Sequence, residues 1–206
     1  MSSSRHDSAD LHGNVPDRCG AVLLLVDVIN DLDFPQNEFL VKHSVPLARR
    51  IVDLKRRCRE LGIPAVYVND NRGKWRSSVE HVIANASREA TPGREFARIL
   101  TPDADDYVVL KPKHSIFLAT PLDLVLEHLE AHTVILAGIT TNSCVLVSAG
   151  EAYARGYRVV VPQDCVQALT PESQTHSLKL MEESFAADTQ AAPGLDLARL
   201  TQPPRK

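Results

Sequence analysis

The sequence has no long apolar run and no apolar segment near its N-terminus. A membrane-spanning helix needs about 20 consecutive apolar residues, and no stretch approaches that length. Residues 1–18 are polar and rich in Ser, Asp and His, so they lack the apolar centre of a secretory signal. These absences predict a chain without a membrane partner.

Cysteines are few and widely separated. The four of them, Cys19, Cys58, Cys144 and Cys165, form no C-x-x-C pair. This spacing argues against a structural zinc site and against a disulfide framework, and it favours a reducing, cytoplasmic location.

Excess charge and aromatic residues are also scarce. The net charge is −3 and aromatic residues make up 5% of the chain. A nucleic-acid-binding surface usually needs a basic patch, often with aromatic side chains for stacking on bases. We therefore expect no nucleic-acid partner and a small-molecule substrate instead.

The rest of the composition is that of an ordinary globular protein, and its apolar pattern alternates between strands and helices. With 206 residues, the chain suits one α/β domain. We predict a flexible tail over residues 1–18, a domain over 19–189 and a loose C-terminal tail over 190–206. Apolar strand-like runs separated by helical patterns predict a mostly parallel sheet with helices on both faces.

Three residue types suited to chemistry follow predicted strands. Asp27 ends the first apolar run, Lys111 follows the run 106–110, and Cys144 lies six residues after Gly138, at the start of a predicted helix. Ligands of parallel α/β folds bind outside the carboxyl ends of the strands. A thiol near a helix N-terminus is expected to favour its thiolate form. Each residue taken alone has an ordinary explanation: a turn acid, a surface lysine or a small buried side chain.

Three motifs in register resemble the isochorismatase-like, or cysteine hydrolase, superfamily. They are VDVIND at 26–31 with Phe34, KPKHSIF at 111–117 followed by TPLD at 120–123, and GITTNSCV at 138–145. Their order and spacing match the family, and the resemblance extends over about residues 21–185. It implies a single-domain, Rossmann-like, three-layer sandwich with a mostly parallel six-stranded sheet.

The resemblance also implies a catalytic triad. Asp27 would be the general base, Lys111 would hold Asp27 charged and help to stabilise the thiolate, and Cys144 would attack the substrate carbon. It further implies a cis peptide bond between Ile139 and Thr140, which would direct the Thr140 amide, together with the Cys144 amide, at the oxyanion.

The stretch after the second predicted strand departs from the pattern of the nicotinamide-cleaving members. Those members carry an Asp-x-His metal site there, whereas residues 69–75 (NDNRGKW) offer one carboxylate and no histidine. We therefore predict no metal and no other cofactor, and the departure disfavours nicotinamide as the substrate.

Substrate contacts are expected from Asn30, Phe34, Trp75 and Thr141. Trp75, the only tryptophan, could equally pack at a subunit interface, and Thr141 could instead cap the helix that carries Cys144. The family commonly forms symmetric oligomers, so a homo-oligomer, dimer or tetramer, is expected.

The sequence thus predicts a metal-independent cysteine hydrolase of a small amide, N-carbamoyl or ureido compound. Two alternatives stay open. One is a vinyl-ether hydrolase of the isochorismatase type, in which the cysteine is incidental. The other is a thiol-redox or non-catalytic binding relative.

Overall fold

The computed structural model describes residues 18–74 and 76–203. Its central sheet contains β1 (Ala21–Val26), β2 (Ala65–Asp70), β3 (Tyr107–Lys111), β4 (Thr133–Ile139), β5 (Arg158–Val160) and β6 (Val166–Gln167). The strand order is β3-β2-β1-β4-β5, β6 pairs with the end of β4, and every pairing is parallel. The predicted six-stranded α/β sheet is confirmed.

Helices cover both faces of the sheet. They are α1 (Glu38–Glu60), α2 (Val79–Ala86), α3 (Arg94–Ile99), α4 (Leu122–His128), α5 (Leu146–Ala154), α6 (Pro171–Phe185) and α7 (Leu197–Leu200). Alternate residues of β1 point to opposite sides, so Leu23 and Leu25 join one apolar layer and Leu24 and Val26 join the other. The first layer packs against α1, α3 and α7, and the second packs against α4, α5 and α6. This arrangement explains why β1 is apolar at every position.

Helices α1 and α2 flank β2 along the chain. α1 begins at Glu38 and contains Pro46 in its interior. Buried Leu40 and Leu47 anchor the helix to the sheet on both sides of that proline. After β2, α2 begins at Val79, and the Ser78 side chain caps it by accepting from the His81 amide.

The C-terminal segment corrects the prediction of a loose tail over residues 190–206. Residues 192–194 form a 3-10 turn, and α7 follows it. Ala192, Leu195, Leu197 and Leu200 are buried in the layer next to α1. The guanidinium of Arg57 donates to the Ala192 and Leu195 carbonyl oxygens at 2.5 and 3.0 Å. Apolar burial therefore fixes this segment up to Leu200. The predicted N-terminal tail lies outside the described residues except for Arg18.

Among the described residues, no helix combines the length and the apolar character needed to cross a membrane.

The topology brings the predicted chemistry to one edge of the sheet. Strands β1 and β4 are neighbours, with β2 and β3 on one side and β5 on the other. The order in which strands are added therefore reverses between β1 and β4. Parallel α/β sheets bind ligands in the crevice at such a reversal point.

Candidate active site

Asp27 lies directly after β1, with its side chain held between two donors. Its Oδ1 accepts a hydrogen bond of 2.7 Å from the Asp70 amide, and its Oδ2 lies 2.9 Å from Nζ of Lys111. The side chain is almost entirely buried. The backbone of Asp27 has φ +54, in the left-handed region that few residues other than glycine adopt, at a cost of about 1–2 kcal/mol. Such a conformation is common at functional sites.

Lys111 is the last residue of β3 and is fully buried. It lies opposite Asp70 in the β2–β3 register, so its side chain extends past the end of β2 towards β1. Its ammonium donates to Oδ2 of Asp27, to the Lys113 carbonyl at 3.0 Å and to Sγ of Cys144 at 3.5 Å. The lysine thus joins the acid and the thiol.

Cys144 follows a tight passage from β4 into α5. Gly138 has φ +124, and a Cβ there would lie 2.1 Å from the carbonyl oxygen of Val26, so only glycine fits beside β1. The Ile139–Thr140 peptide bond is cis, as the resemblance implied. Residues 141–145 then form a π-helical turn that leads into α5, which places Cys144 in the turn before that helix.

The surroundings of the Cys144 sulfur favour its protonated form. The pKa of this thiol is raised from its ordinary value of 9.0 to about 12: burial is the largest cause, the negative charge of Asp27 adds to it, and Lys111 opposes both. Burial and Asp27 thus act against the thiolate that a position near a helix start favours, and the resting state of the sulfur stays a prediction. A protonated thiol needs a base in contact with it before it can act as a nucleophile.

Asp27 has the properties of that base. Burial raises the pKa of its carboxyl above the usual value of 3.8, although the charge of Lys111 and a hydrogen bond with the Cys144 thiol lower it. Burial also lowers the pKa of Lys111, but its ion pair with Asp27 and its contact with Cys144 outweigh burial, so its pKa is raised and the charged form is favoured. A carboxylate with a raised pKa accepts a proton more readily at neutral pH.

A pocket of about 500 Å³ opens over the sulfur. Asn30 and Phe34, two of the expected substrate contacts, line it together with Asp27, Cys144, Ile139 and Thr140. The Oδ1 of Asn30 already accepts a hydrogen bond from the Leu32 amide. Trp75, the third expected contact, lies outside the described residues.

The family model described as "Isochorismatase domain" matches residues 21–192. The chain belongs to the isochorismatase family. It is 32% identical over 166 residues to the uncharacterized isochorismatase family protein YaaI of Bacillus subtilis (strain 168), a match that covers 81% of this chain and 91% of that protein. It is 28% identical over 188 residues to the ureidoacrylate amidohydrolase RutB of Methylobacterium radiotolerans, covering 79% of this chain and 73% of that enzyme.

Solved structures of the isochorismatase family share the fold. The N-carbamoylsarcosine amidase of Thermoplasma acidophilum aligns with a TM-score of 0.66 at 24% identity, and the alignment covers 85% of this chain and 98% of that one. At this level of identity the likeness establishes the fold alone.

Thr141 corrects one of the sequence-based site assignments. It was expected to contact substrate, but it is fully buried and does not line the pocket. Its hydroxyl donates to Oε1 of Gln174 on α6 at 2.8 Å, and the same oxygen accepts from the Ala168 amide at 2.7 Å. Thr141 therefore links the turn that contains Cys144 to α6.

Sequence analysis did not identify several residues that line or support this isochorismatase-family site. Asn69 holds the chain after Asp27 in place, since its side chain accepts from the Ile29 amide at 2.9 Å and donates to the Ile29 carbonyl at 3.0 Å. Arg72 forms an ion pair with buried Asp31 at the pocket wall. His114 and Asn142 also line the pocket. Their places in the sequence could have identified them. Asn69 and Arg72 lie at or just after the end of β2, and His114 and Asn142 lie inside the motifs at 111–117 and 138–145.

The described pocket residues offer no cluster suited to a metal. In the described ranges, the acidic group with ligand-like spacing is Asp103, Asp105 and Asp106, and none of these lines the pocket. Lys55 and Arg59 form ion pairs with these acids. The expectation of metal independence stays a prediction.

Proposed function

We propose that the chain is a metal-independent amidohydrolase that cleaves a small carboxamide, N-carbamoyl or ureido compound through a covalent Cys144 intermediate. One observation carries the proposal. The sulfur of Cys144 contacts both the carboxyl of Asp27 and the ammonium of Lys111, and it also opens onto a pocket large enough for a small substrate.

Acylation begins with the transfer of the thiol proton to Asp27 as Cys144 attacks the substrate carbonyl carbon. A C–S bond forms, and the carbonyl π electrons move to the oxygen. When that oxyanion collapses, the C–N bond breaks, and Asp27 returns the proton to the departing nitrogen. Lys111 stays charged throughout and offsets the negative charge that moves between Asp27 and Cys144.

Deacylation repeats the same proton path with water. Asp27 accepts a proton from the attacking water, whose oxygen bonds to the acyl carbon, and an oxyanion forms again. When the oxyanion collapses, the C–S bond breaks, the acid leaves and Asp27 returns its proton to the Cys144 sulfur. The amides of Thr140 and Cys144 are proposed to hold the oxyanion in both steps.

The pocket wall favours a substrate with N–H donors. The Oδ1 atom of Asn142 is buried and has no hydrogen-bond partner among the described residues. A buried acceptor without a donor is costly, by about 1–3 kcal/mol, so a substrate amide N–H would relieve that cost. The names of similar proteins, a ureidoacrylate amidohydrolase and an N-carbamoylsarcosine amidase, agree with a substrate of this kind.

Ammonia release tests the proposal. The panel contains nicotinamide, simple carboxamides, N-carbamoyl amino acids and ureidoacrylate, and each compound is assayed with the wild-type chain, Cys144→Ala and Cys19→Ala. Cys19 is a matched control because it is also 8% exposed but packs in the layer near α1, away from the pocket. We expect turnover of an N-carbamoyl or ureido compound by the wild-type chain and Cys19→Ala only.

Turnover that survives in Cys144→Ala would contradict the covalent mechanism. If the wild-type chain also cleaved a vinyl ether, and Cys144→Ala did so equally well, the isochorismatase-type reaction would replace the proposal.

A further inference from the structure

A histidine lies against the nucleophilic sulfur on its solvent side. Nδ1 of His114 is 3.5 Å from Sγ of Cys144 and 3.3 Å from Oγ of Ser143. His114 is exposed and lines the pocket, whereas Asp27 and Lys111 approach the same sulfur from the buried side. The three groups surround the thiol.

The other hydrogen bonds of the Cys144 sulfur bear on whether His114 donates to it or accepts from it. A thiol has one hydrogen, and the Cys144 thiol shares a hydrogen bond with the carboxyl of Asp27. Because a carboxylate only accepts, the thiol hydrogen belongs to that bond. The remaining partners of the sulfur must then be donors, as the ammonium of Lys111 is. Nδ1 of His114 fits this requirement in the forms of the ring that carry a hydrogen on it, with Oγ of Ser143 at 3.3 Å as a second acceptor for the same hydrogen.

The loop that carries His114 is fixed on both sides of the residue. Before it, the Lys113 carbonyl accepts from the ammonium of Lys111 at 3.0 Å. After it, the Ile116 amide donates to Oγ of Ser148 at 3.3 Å, and that hydroxyl donates to the Cys144 carbonyl at 2.5 Å. These bonds hold the loop against the turn and helix that carry Cys144. The surrounding backbone therefore supports the position of His114 beside the sulfur.

We propose that His114 is a further catalytic residue of the reaction assigned to this site. Its Nδ1–H donates a hydrogen bond to the Cys144 sulfur and stabilises the thiolate at the two moments when that form exists. These are the transfer of the thiol proton to Asp27 and the departure of the sulfur when the C–S bond breaks. His114 keeps its proton in both steps, so Asp27 remains the only proton carrier. The inference rests on the proposed function, because it requires Cys144 to act as the nucleophile.

The test uses iodoacetamide as a small probe of the sulfur, in the full-length chain at one fixed neutral pH. The rate of alkylation at Cys144 is followed by intact mass in His114→Ala, His114→Asn, His176→Ala and the wild-type chain, with Cys144→Ala to assign the adduct. Asparagine places an N–H close to the position of Nδ1, so it keeps the donor without the ring. His176 is an exposed histidine on α6 outside the pocket lining, which makes it the matched control.

We expect His114→Ala to slow alkylation, and ammonia release from the best substrate, by about 10- to 100-fold, the range for a hydrogen bond to a charged group. His114→Asn should recover most of that loss, and His176→Ala should match the wild-type chain. Thermal unfolding of each variant should be unchanged within a few degrees, because His114 is exposed.

Two results would overturn the inference. One is His114→Ala reacting at the wild-type rate, and the other is His114→Asn reacting as slowly as His114→Ala. Both leave the proposed function standing as long as Cys144→Ala is inactive. Turnover by Cys144→Ala would instead remove the proposed function itself, so the two failures are distinguishable.

Discussion

Two buried lysines, Lys111 at the end of β3 and Lys55 on α1, differ in what surrounds them. Lys111 is 0% exposed and Lys55 is 8% exposed, and each forms ion pairs with aspartates. Lys111 lies at the carboxyl end of β3. The acids paired with Lys55 come before β3 begins, so the two clusters belong to opposite ends of that strand.

The ammonium of Lys55 has three hydrogen-bonding partners among the described residues. It contacts Asp103 at 2.9 Å, the hydroxyl of Tyr67 at 3.1 Å and the carboxylate of Asp106. Arg59 contacts the same acids from outside. The adjoining depression of about 160 Å³ contains no cysteine among its described lining residues. This cluster binds α1 to the sheet and has no group placed for attack on a substrate.

The ammonium of Lys111 pairs with the carboxylates of Asp27 at 2.9 Å and Asp70 at 3.8 Å, and it also contacts the thiol of Cys144. That thiol opens onto the larger pocket and has a hydrogen bond with the carboxyl of Asp27. A buried Lys–Asp pair is therefore not a site in itself. The thiol and the cavity distinguish this cluster from the one around Lys55, and the following changes test that distinction.

The largest effect is expected from Asp27→Asn. Asparagine keeps the shape of the side chain but cannot accept the thiol proton, so kcat/KM should fall by about a thousandfold. Steady-state ammonia release measures it. Asp106→Asn, the equivalent change beside Lys55, should leave kcat/KM of the folded protein unchanged. Loss of activity in both variants to the same degree would remove the functional distinction between the clusters.

The ionisation of Cys144 gives the next effect. Because burial raises the pKa of its thiol to about 12, the ultraviolet absorbance of a thiolate should be absent at neutral pH and should grow only as the pH approaches that value. The measurement is the difference between the wild-type chain and Cys144→Ser. A thiolate present at neutral pH would show that the helix N-terminus and Lys111 outweigh burial.

The pH profile of the reaction depends on Asp27. The carboxyl acts as a base only when ionised, so kcat/KM should fall as the pH drops through its pKa. Burial raises that pKa above 3.8, so the fall should begin at a higher pH than for an exposed aspartate. Asp103→Asn, which removes a carboxyl outside the pocket, should leave the profile unchanged. A profile that stays flat down to the pKa of a free carboxyl would contradict the role of Asp27.

Stability should respond most to the other cluster. Lys55→Met leaves the buried carboxylate of Asp106 with Arg59 at 3.8 Å as its remaining cation. Breaking a buried pair in this way costs about 3 kcal/mol, which urea unfolding would measure. The folded fraction should keep its kcat/KM. Exposed Lys179, paired with Glu183 at 3.6 Å, provides the control, since Lys179→Met should change the free energy of unfolding by less than about 1 kcal/mol.

The smallest effect is expected from Thr141→Val. The hydroxyl of Thr141 donates to Gln174 and does not reach the pocket. Its loss should lower the free energy of unfolding by about 1 kcal/mol with little change in KM. Thr175→Val, on the exposed side of α6, is the control for loss of a hydroxyl. A large rise in KM in Thr141→Val would restore the substrate contact expected from the sequence.

The sheet could be predicted from the sequence because apolar runs mark its strands. The triad was an implication of the family resemblance, and the fold brings Asp27, Lys111 and Cys144 into contact. The role of Thr141 could not be predicted in this way, because its partner Gln174 is 33 residues away on another helix. The ion pairs of Lys55 could not be predicted for the same reason, since Asp103 and Asp106 reach it only in the folded chain.

The surroundings of Cys144 could not be predicted for a related reason. A position near a helix start predicts a thiolate when only the helix is considered. In the fold, the thiol is buried beside the carboxylate of Asp27, and both effects favour the protonated form. Burial and distant neighbours are set by tertiary packing, which one sequence does not reveal.

The most direct measurement is rapid-quench intact mass of the chain mixed with its best N-carbamoyl or ureido substrate, followed by digestion to locate any adduct. The account predicts a transient acyl group on Cys144, absent in Cys144→Ala and in Asp27→Asn. Turnover at the wild-type rate with no adduct at any time, or an adduct on another residue, would contradict it.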